Sequence, residues 1–184
     1  MKLIEKRYTV EDYEKLPEGS PYQLIEGELI MSPSPSFEHF KSQRNILRKL
    51  FETILDTGRG EVIFAPFDLY LDEQNAYQPD LMVLLKGSTA KIMSKGVYGA
   101  PDVVVEIISP STAYYDLTEK KDVYERAGVK EFWIVDPLRR SFEVYQNTEE
   151  GFKLISKAKE KGKVTSELLG LEIELSEVFE GVEL

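Results

Sequence analysis

The sequence predicts a mixed α/β fold, with a central β-sheet of parallel and antiparallel strands flanked by helices. Three observations predict it. The runs Val103 to Ile108 and Phe132 to Val135 are apolar on both faces, apart from Glu106, as central strands covered on each side are. Between them, residues 113 to 127 follow a helical pattern that Gly128 closes, so the unit reads strand, helix, strand and demands a crossover and a parallel pair. Elsewhere, short apolar stretches around turn residues read as further strands and hairpins. The chain has 184 residues, with no internal repeat and no linker long enough to divide it, so one domain over residues 1–184 is expected.

In chain order, Thr9 with Asp12 forms a capping arrangement for a short helix that ends before Pro17 and Gly19. Tyr22 to Ile25 and Glu28 to Met31 flank Glu26-Gly27 and read as a hairpin. The run Ser32-Pro33-Ser34-Pro35-Ser36 propagates neither helix nor strand, and Ser36 caps a helix expected to reach Thr57, with Phe40, Leu47, Leu50, Phe51 and Ile54 as its apolar stripe. Residues 61 to 71 and 81 to 85 read as strands of one sheet, joined through a turn over 72 to 76. Beyond the crossover, residues 142 to 145, 152 to 158 and 171 to 175 read as strands that extend the sheet.

Composition narrows the chemistry. There is no cysteine, which excludes disulfide frameworks, thiolate zinc sites and thiol nucleophiles. His39 is the single histidine, so a three-histidine zinc site cannot be built. No apolar run is long enough to cross a bilayer and the opening Met1 to Arg7 is charged, so a cytoplasmic protein without a membrane partner is expected. The formal charge of −10 counts against a broad nucleic-acid footprint, yet charge is local. Lys41, Arg44, Arg48 and Lys49 cluster in one stretch and Lys86, Lys91 and Lys95 in another, while residues 141–184 carry ten Glu against five Lys.

Three residues stand where their chemistry is costly. Asp80 heads an apolar strand, Glu106 lies inside one, and at about 100° per residue Lys120 falls in the middle of the stripe of Leu117, Tyr124 and Ala127, with Lys121 nearer its edge. A buried carboxylate needs a cation, a basic partner or a raised pKa. The helix follows the Glu106 strand and must pack back on the sheet, so Lys120 can reach toward that carboxylate. Two carboxylates and a lysine suit phosphodiester hydrolysis with a hard metal: the carboxylates hold it, and the ammonium positions water or offsets charge. A buried Glu-Lys pair with Asp80 at the surface is the alternative, and it asks for no activity.

The chain resembles the Uma-type family of restriction-endonuclease-like proteins, within the PD-(D/E)xK nuclease superfamily. The resemblance runs through Tyr8 to Tyr13, the Tyr22 to Leu29 hairpin, Met31 to Pro35, His39 and Gln78-Pro79-Asp80. It continues through Glu106 to Thr112, Asp116 with Lys120 and Tyr124, Gly128 to Pro137, and Leu169 to Glu172. It implies a restriction-endonuclease-like fold and an endonuclease that uses Mg²⁺ or Mn²⁺ on nucleic acid, with DNA the expected substrate, acting as a homodimer. In this correspondence Pro79-Asp80 is the PD element and Glu106 the acidic residue that follows it. Asp80, Glu106 and the Ile107 carbonyl would hold the metal, Lys120 would position water, and His39, Arg44, Ser109 and Ser111 are candidates for substrate contact. For His39 a surface or capping role stands as the alternative, as helix capping does for the serine loop and core packing for Tyr124 and Trp133.

Two departures from the pattern matter. Ile108, not lysine, stands two residues after Glu106, and the resemblance implies that the lysine is supplied from the following helix, at Lys120; Gln23 occupies a place where relatives usually carry Glu. Glu26 or Glu28 could supply that lost carboxylate, or both could simply be solvated turn residues. A catalytically silent nuclease fold serving as a binding or assembly module is the competing reading, favoured by the acidic balance.

Overall fold

The structure, a computed structural model, describes residues 7–183; the charged run from Met1 to Lys6 lies outside them. Thr9 caps α1 (Val10–Tyr13) through a reciprocal pair of bonds with Asp12. The hairpin of β1 (Tyr22–Ile25) and β2 (Glu28–Met31) turns at Glu26-Gly27, both with positive φ, as a two-residue hairpin loop of the favoured twist requires. α2 (Phe37–Leu50) starts where the Ser36 hydroxyl accepts a hydrogen bond from the His39 amide, and it continues to Leu55 as a wider π-helical turn. The chain then forms β3 (Gly60–Phe64), β4 (Asp68–Asp72), β5 (Asn75–Tyr77), β6 (Leu81–Leu85), β7 (Lys91–Met93), β8 (Gly96–Tyr98) and β9 (Val103–Ile107). After α3 (Ala113–Leu117) and α4 (Glu119–Ala127) come β10 (Glu131–Asp136), β11 (Ser141–Thr148), β12 (Gly151–Lys159), β13 (Lys163–Ser166), β14 (Leu171–Glu174) and α5 (Leu175–Val178).

The mixed α/β class is observed, and β9 and β10 pair in parallel as the crossover pattern demands. The strands form two six-stranded mixed sheets, ordered β2-β1-β5-β4-β8-β7 and β12-β11-β10-β9-β6-β3, with β13 and β14 as a separate hairpin. Two cores lie on opposite faces of the second sheet. Val103, Val105 and Ile107 enter one, beneath α2, α5 and the β13–β14 hairpin; Val104 enters the other, shared with the first sheet and α4. Alternation along β9 puts Glu106 on this second face.

Several expectations change. Residues 61 to 71 are not one strand of one sheet: the segment breaks around Pro66, which has no amide to donate to a ladder, and β3 and β4 join different sheets. Residues 171 to 175 do not extend the large sheet: 171 to 174 pair with β13, and Leu175 opens α5. On α2 the buried line is Ser42, Asn45, Ile46 and Leu50, with Ile54 beyond it, whereas Phe40 is 49% exposed. The polar members evaded an apolar count because Asn45 satisfies its amide on the Val178 and Glu180 carbonyls, each 3.0 Å away. The expected single helix over 113–127 is two, broken at Thr118 (φ −122, ψ −87), which leaves Leu117 exposed. Gly128 ends α4 at φ 96, a conformation that glycine adopts without a Cβ clash.

Candidate active site

The β6–β9 register pairs Leu81 with Val105, so one further step places Asp80 opposite Glu106. The end of this ladder is closed by a side chain: the Ile107 amide donates to Asp80 Oδ2 at 2.7 Å. Asp80 Oδ1 lies 3.1 Å from His39 Nε2, so the first turn of α2 is tied to the end of β6. Gln43, one helical turn later, donates to the Asp80 carbonyl at 2.9 Å. These contacts hold the carboxylate where a strand end alone would leave it free to rotate.

Glu106 is 3% exposed and is met from α4. Lys120 Nζ donates to Glu106 Oε1 at 3.1 Å, and the Tyr124 phenol donates to the same oxygen at 2.6 Å. Lys120 Nζ also lies 3.0 Å from Asp116 Oδ1, an ion-pair contact without hydrogen-bond geometry. The ammonium stands 5.6 Å from the centre of the Tyr77 ring. Among the described residues, Glu106 Oε2 accepts no hydrogen bond.

Burial pushes the Glu106 carboxyl well above the usual carboxylate range, against the pull of Lys120; the charges of Asp116 and Asp80 add to the rise, and the Tyr124 phenol opposes it. Burial alone would lower Lys120, but Asp116 and Glu106 outweigh it and hold the ammonium above its ordinary pKa. His39 is similar: burial lowers it, while its bond to Asp80 and the charges of Asp80, Glu106 and Asp116 produce a net rise. Two buried carboxylates, Glu106 and Asp116, thus share the Lys120 ammonium, while Asp80 is held by His39 and the Ile107 amide. Among the described residues, no three of His, Asp and Glu converge closely enough to hold a metal. The donor chemistry nevertheless fits a hard divalent cation, since Mg²⁺ is typically held by one or two carboxylates with water completing the shell.

The structure therefore brings Asp80, Glu106, Ile107 and Lys120 together and adds His39, which is neither at the surface nor merely part of the cap. It does not bring in the hairpin acids. Glu26 is bonded to Arg126 and Asn75, Glu28 is exposed, and Gln23 accepts a bond from the Gln78 amide, tying β1 to the approach to Asp80. Ser109 bonds Ser111 (3.0 Å) and Thr112 (3.1 Å) in a knot of hydroxyls, and no side chain caps α3. Arg44 is exposed on α2, where Arg48 and Lys49 are paired with Glu180 and Glu177. Trp133 and Tyr124 are wholly buried, the indole bonded to Glu131. Lys121 lies 3.7 Å from the Tyr145 ring centre, away from Glu106. Two partners escaped the sequence reading of the site: Asp116, whose i, i+4 spacing to Lys120 is legible, and the His39–Asp80 contact, which has no sequence signal.

A family model described as "Uma2: Putative restriction endonuclease" matches residues 10–180. A crystal structure from Anabaena variabilis, described as a "putative nuclease belonging to DUF820", superposes with a TM-score of 0.78 at 19% identity, covering 95% of this chain and 99% of that one. At that identity the likeness speaks to the fold. No curated protein matches the sequence closely enough to count as a relative.

Proposed function

Because the chain belongs to the Uma2 family, we propose that it is a metal-dependent endonuclease, with DNA as substrate and Mg²⁺ or Mn²⁺ as cofactor. The observation that carries this reading is the buried Glu106, opposite Asp80 across two strands and met by Lys120 at 3.1 Å. Asp80 and Glu106 would hold the cation, with the Ile107 carbonyl as a further donor. A divalent cation there would supply Lewis-acid charge to a scissile phosphate. The protein's own contribution is positional. His39 and the Ile107 amide orient Asp80, Tyr124 and Asp116 orient Glu106 and Lys120, and the ammonium offsets negative charge that builds on the phosphate as water adds and the P–O bond breaks. A single domain acting as a homodimer belongs to the same reading.

The competing reading, a silent module, draws support from a specific observation: Lys120 is already engaged by two buried carboxylates and Asp80 by two donors. Calorimetric titration with Mg²⁺ and Mn²⁺, beside cleavage of plasmid DNA, separates the two. Wild type should give saturable heats that Asp80→Asn and Glu106→Gln lose, and cleavage should fall by orders of magnitude in those variants and in Lys120→Ala. Equal heats in all three proteins and no cleavage by wild type would establish the silent module.

A further inference from the structure

A cavity of about 630 Å³, within the range of small-molecule sites, opens between the end of α1, the β3–β4 connection and the β7–β8 turn. None of Asp80, Glu106, Lys120 or His39 lines it, but two of its wall residues are joined to the candidate active site through the backbone. Pro66 on the wall follows Ala65, whose amide donates to the Asp80 carbonyl at 3.1 Å, and Gln78, also on the wall, lies two residues before Asp80.

The wall holds an oriented carboxylate. Asp68 Oδ1 accepts from the Tyr13 phenol at 3.1 Å, a donor shared with the Tyr22 carbonyl, and from Gln78 Nε2 at 2.9 Å; Oδ2 accepts from the Tyr70 phenol at 3.2 Å. An ionised carboxylate offers about four lone-pair sites, so three are taken and one remains. Around it stand the apolar side chains of Leu16 and Phe67. Glu14, Glu18 and Asp68 outnumber Lys95 in the lining, so a phosphate is unfavourable inside. A neutral, planar group with an N–H donor suits such a wall.

We propose that this cavity receives a nucleobase bearing an exocyclic amine, with Asp68 accepting a hydrogen bond from that amine while the flanking phosphate stays outside the acidic lining. The inference rests on the nuclease reading and gives it a substrate preference. Carboxylates read cytosine through its N4 amine in this way, whereas thymine and uracil set a carbonyl oxygen at that position and offer only the single N3–H beside it. A contact of this kind discriminates because, in the same docked pose, the wrong base turns its O4 carbonyl toward the carboxylate in place of an amine.

The test is binding of free nucleosides in EDTA, so that metal and cleavage play no part. The probe is 2-aminopurine riboside, followed by its fluorescence on titration with wild-type protein. Saturable binding with a Kd on the order of 1 mM is expected for a ligand of this size, displaced at least tenfold more effectively by cytidine and adenosine than by thymidine and uridine. Asp68→Asn should abolish that preference. The preference of wild type decides the matter even if the variant fails to fold. Equal displacement by thymidine, absence of saturation, or stronger displacement by spermidine than by any nucleoside would overturn the proposal. Cleavage of DNA with no nucleoside preference removes the pocket and leaves the nuclease, while nucleoside preference without cleavage does the reverse.

Discussion

Replacing Lys120 by methionine removes a cation from the protein interior while keeping most of the side chain's volume. The lysine side chain is 5% exposed and those of Glu106 and Asp116 are each 3% exposed, so solvent screening does little for any of them. Deleting one partner of such a buried set leaves uncompensated charge and costs about 3–5 kcal/mol. For a chain of this size that corresponds to roughly 6–20 °C in Tm. Lys121→Met is the matched control: the lysine is half-buried against the Tyr145 ring, and its loss should cost about 0.5–1 kcal/mol. If the cost at Lys120 comes from stranded charge, adding Glu106→Gln to Lys120→Met should return about 1–3 kcal/mol of coupling, with Asp116 still uncompensated. Guanidinium unfolding in EDTA at neutral pH measures wild type, the single variants Lys120→Met, Lys121→Met and Glu106→Gln, and the double variant. Equal stability of the two lysine variants, or a double variant no better than Lys120→Met alone, would refute the buried-cation account.

Three further outcomes are expected. DNA binding, measured by fluorescence anisotropy, should be weak and should fall roughly ten- to fiftyfold between 50 and 200 mM salt, because few cations are available to meet phosphates; tight binding indifferent to salt would contradict this. His39→Ala should cost about 1–2 kcal/mol in chemical unfolding by removing the 3.1 Å contact that orients Asp80, and no loss would show that the contact is idle. Burial holds the Tyr13, Tyr77 and Tyr124 phenols above their ordinary pKa, so the folded state keeps protons that the unfolded chain releases near pH 10. Their stabilising contribution is full below that pH and is lost as pH rises beyond it, so ultraviolet titration should show these three ionising only with alkaline unfolding.

Which side chains meet depends on features of unequal legibility. The β1–β2 hairpin, the caps at Thr9 and Ser36, the β9–β10 crossover and the inward aim of Lys120 were readable because each follows from spacing within one segment. The break at Thr118 was not readable, since threonine interrupts no helix by itself. Lys120 still turns inward because its direction depends on α4 alone, whereas Leu117, on the other side of the break, does not share its face. The division of residues 61 to 71 between two sheets was equally hidden, because strand pattern records a face and not a partner.

The amino-acid sequence by itself determined the class of the fold, the family resemblance and three costly residues, Asp80, Glu106 and Lys120, because periodicity and charge burial are local properties. Only the tertiary structure decided that His39 turns onto Asp80, that Asp116 shares the lysine with Glu106, and that Asp68 is oriented by two tyrosines from separate elements. These contacts join residues whose partners are chosen by register and packing, and no spacing in a single segment encodes a register between strands that are distant in the chain.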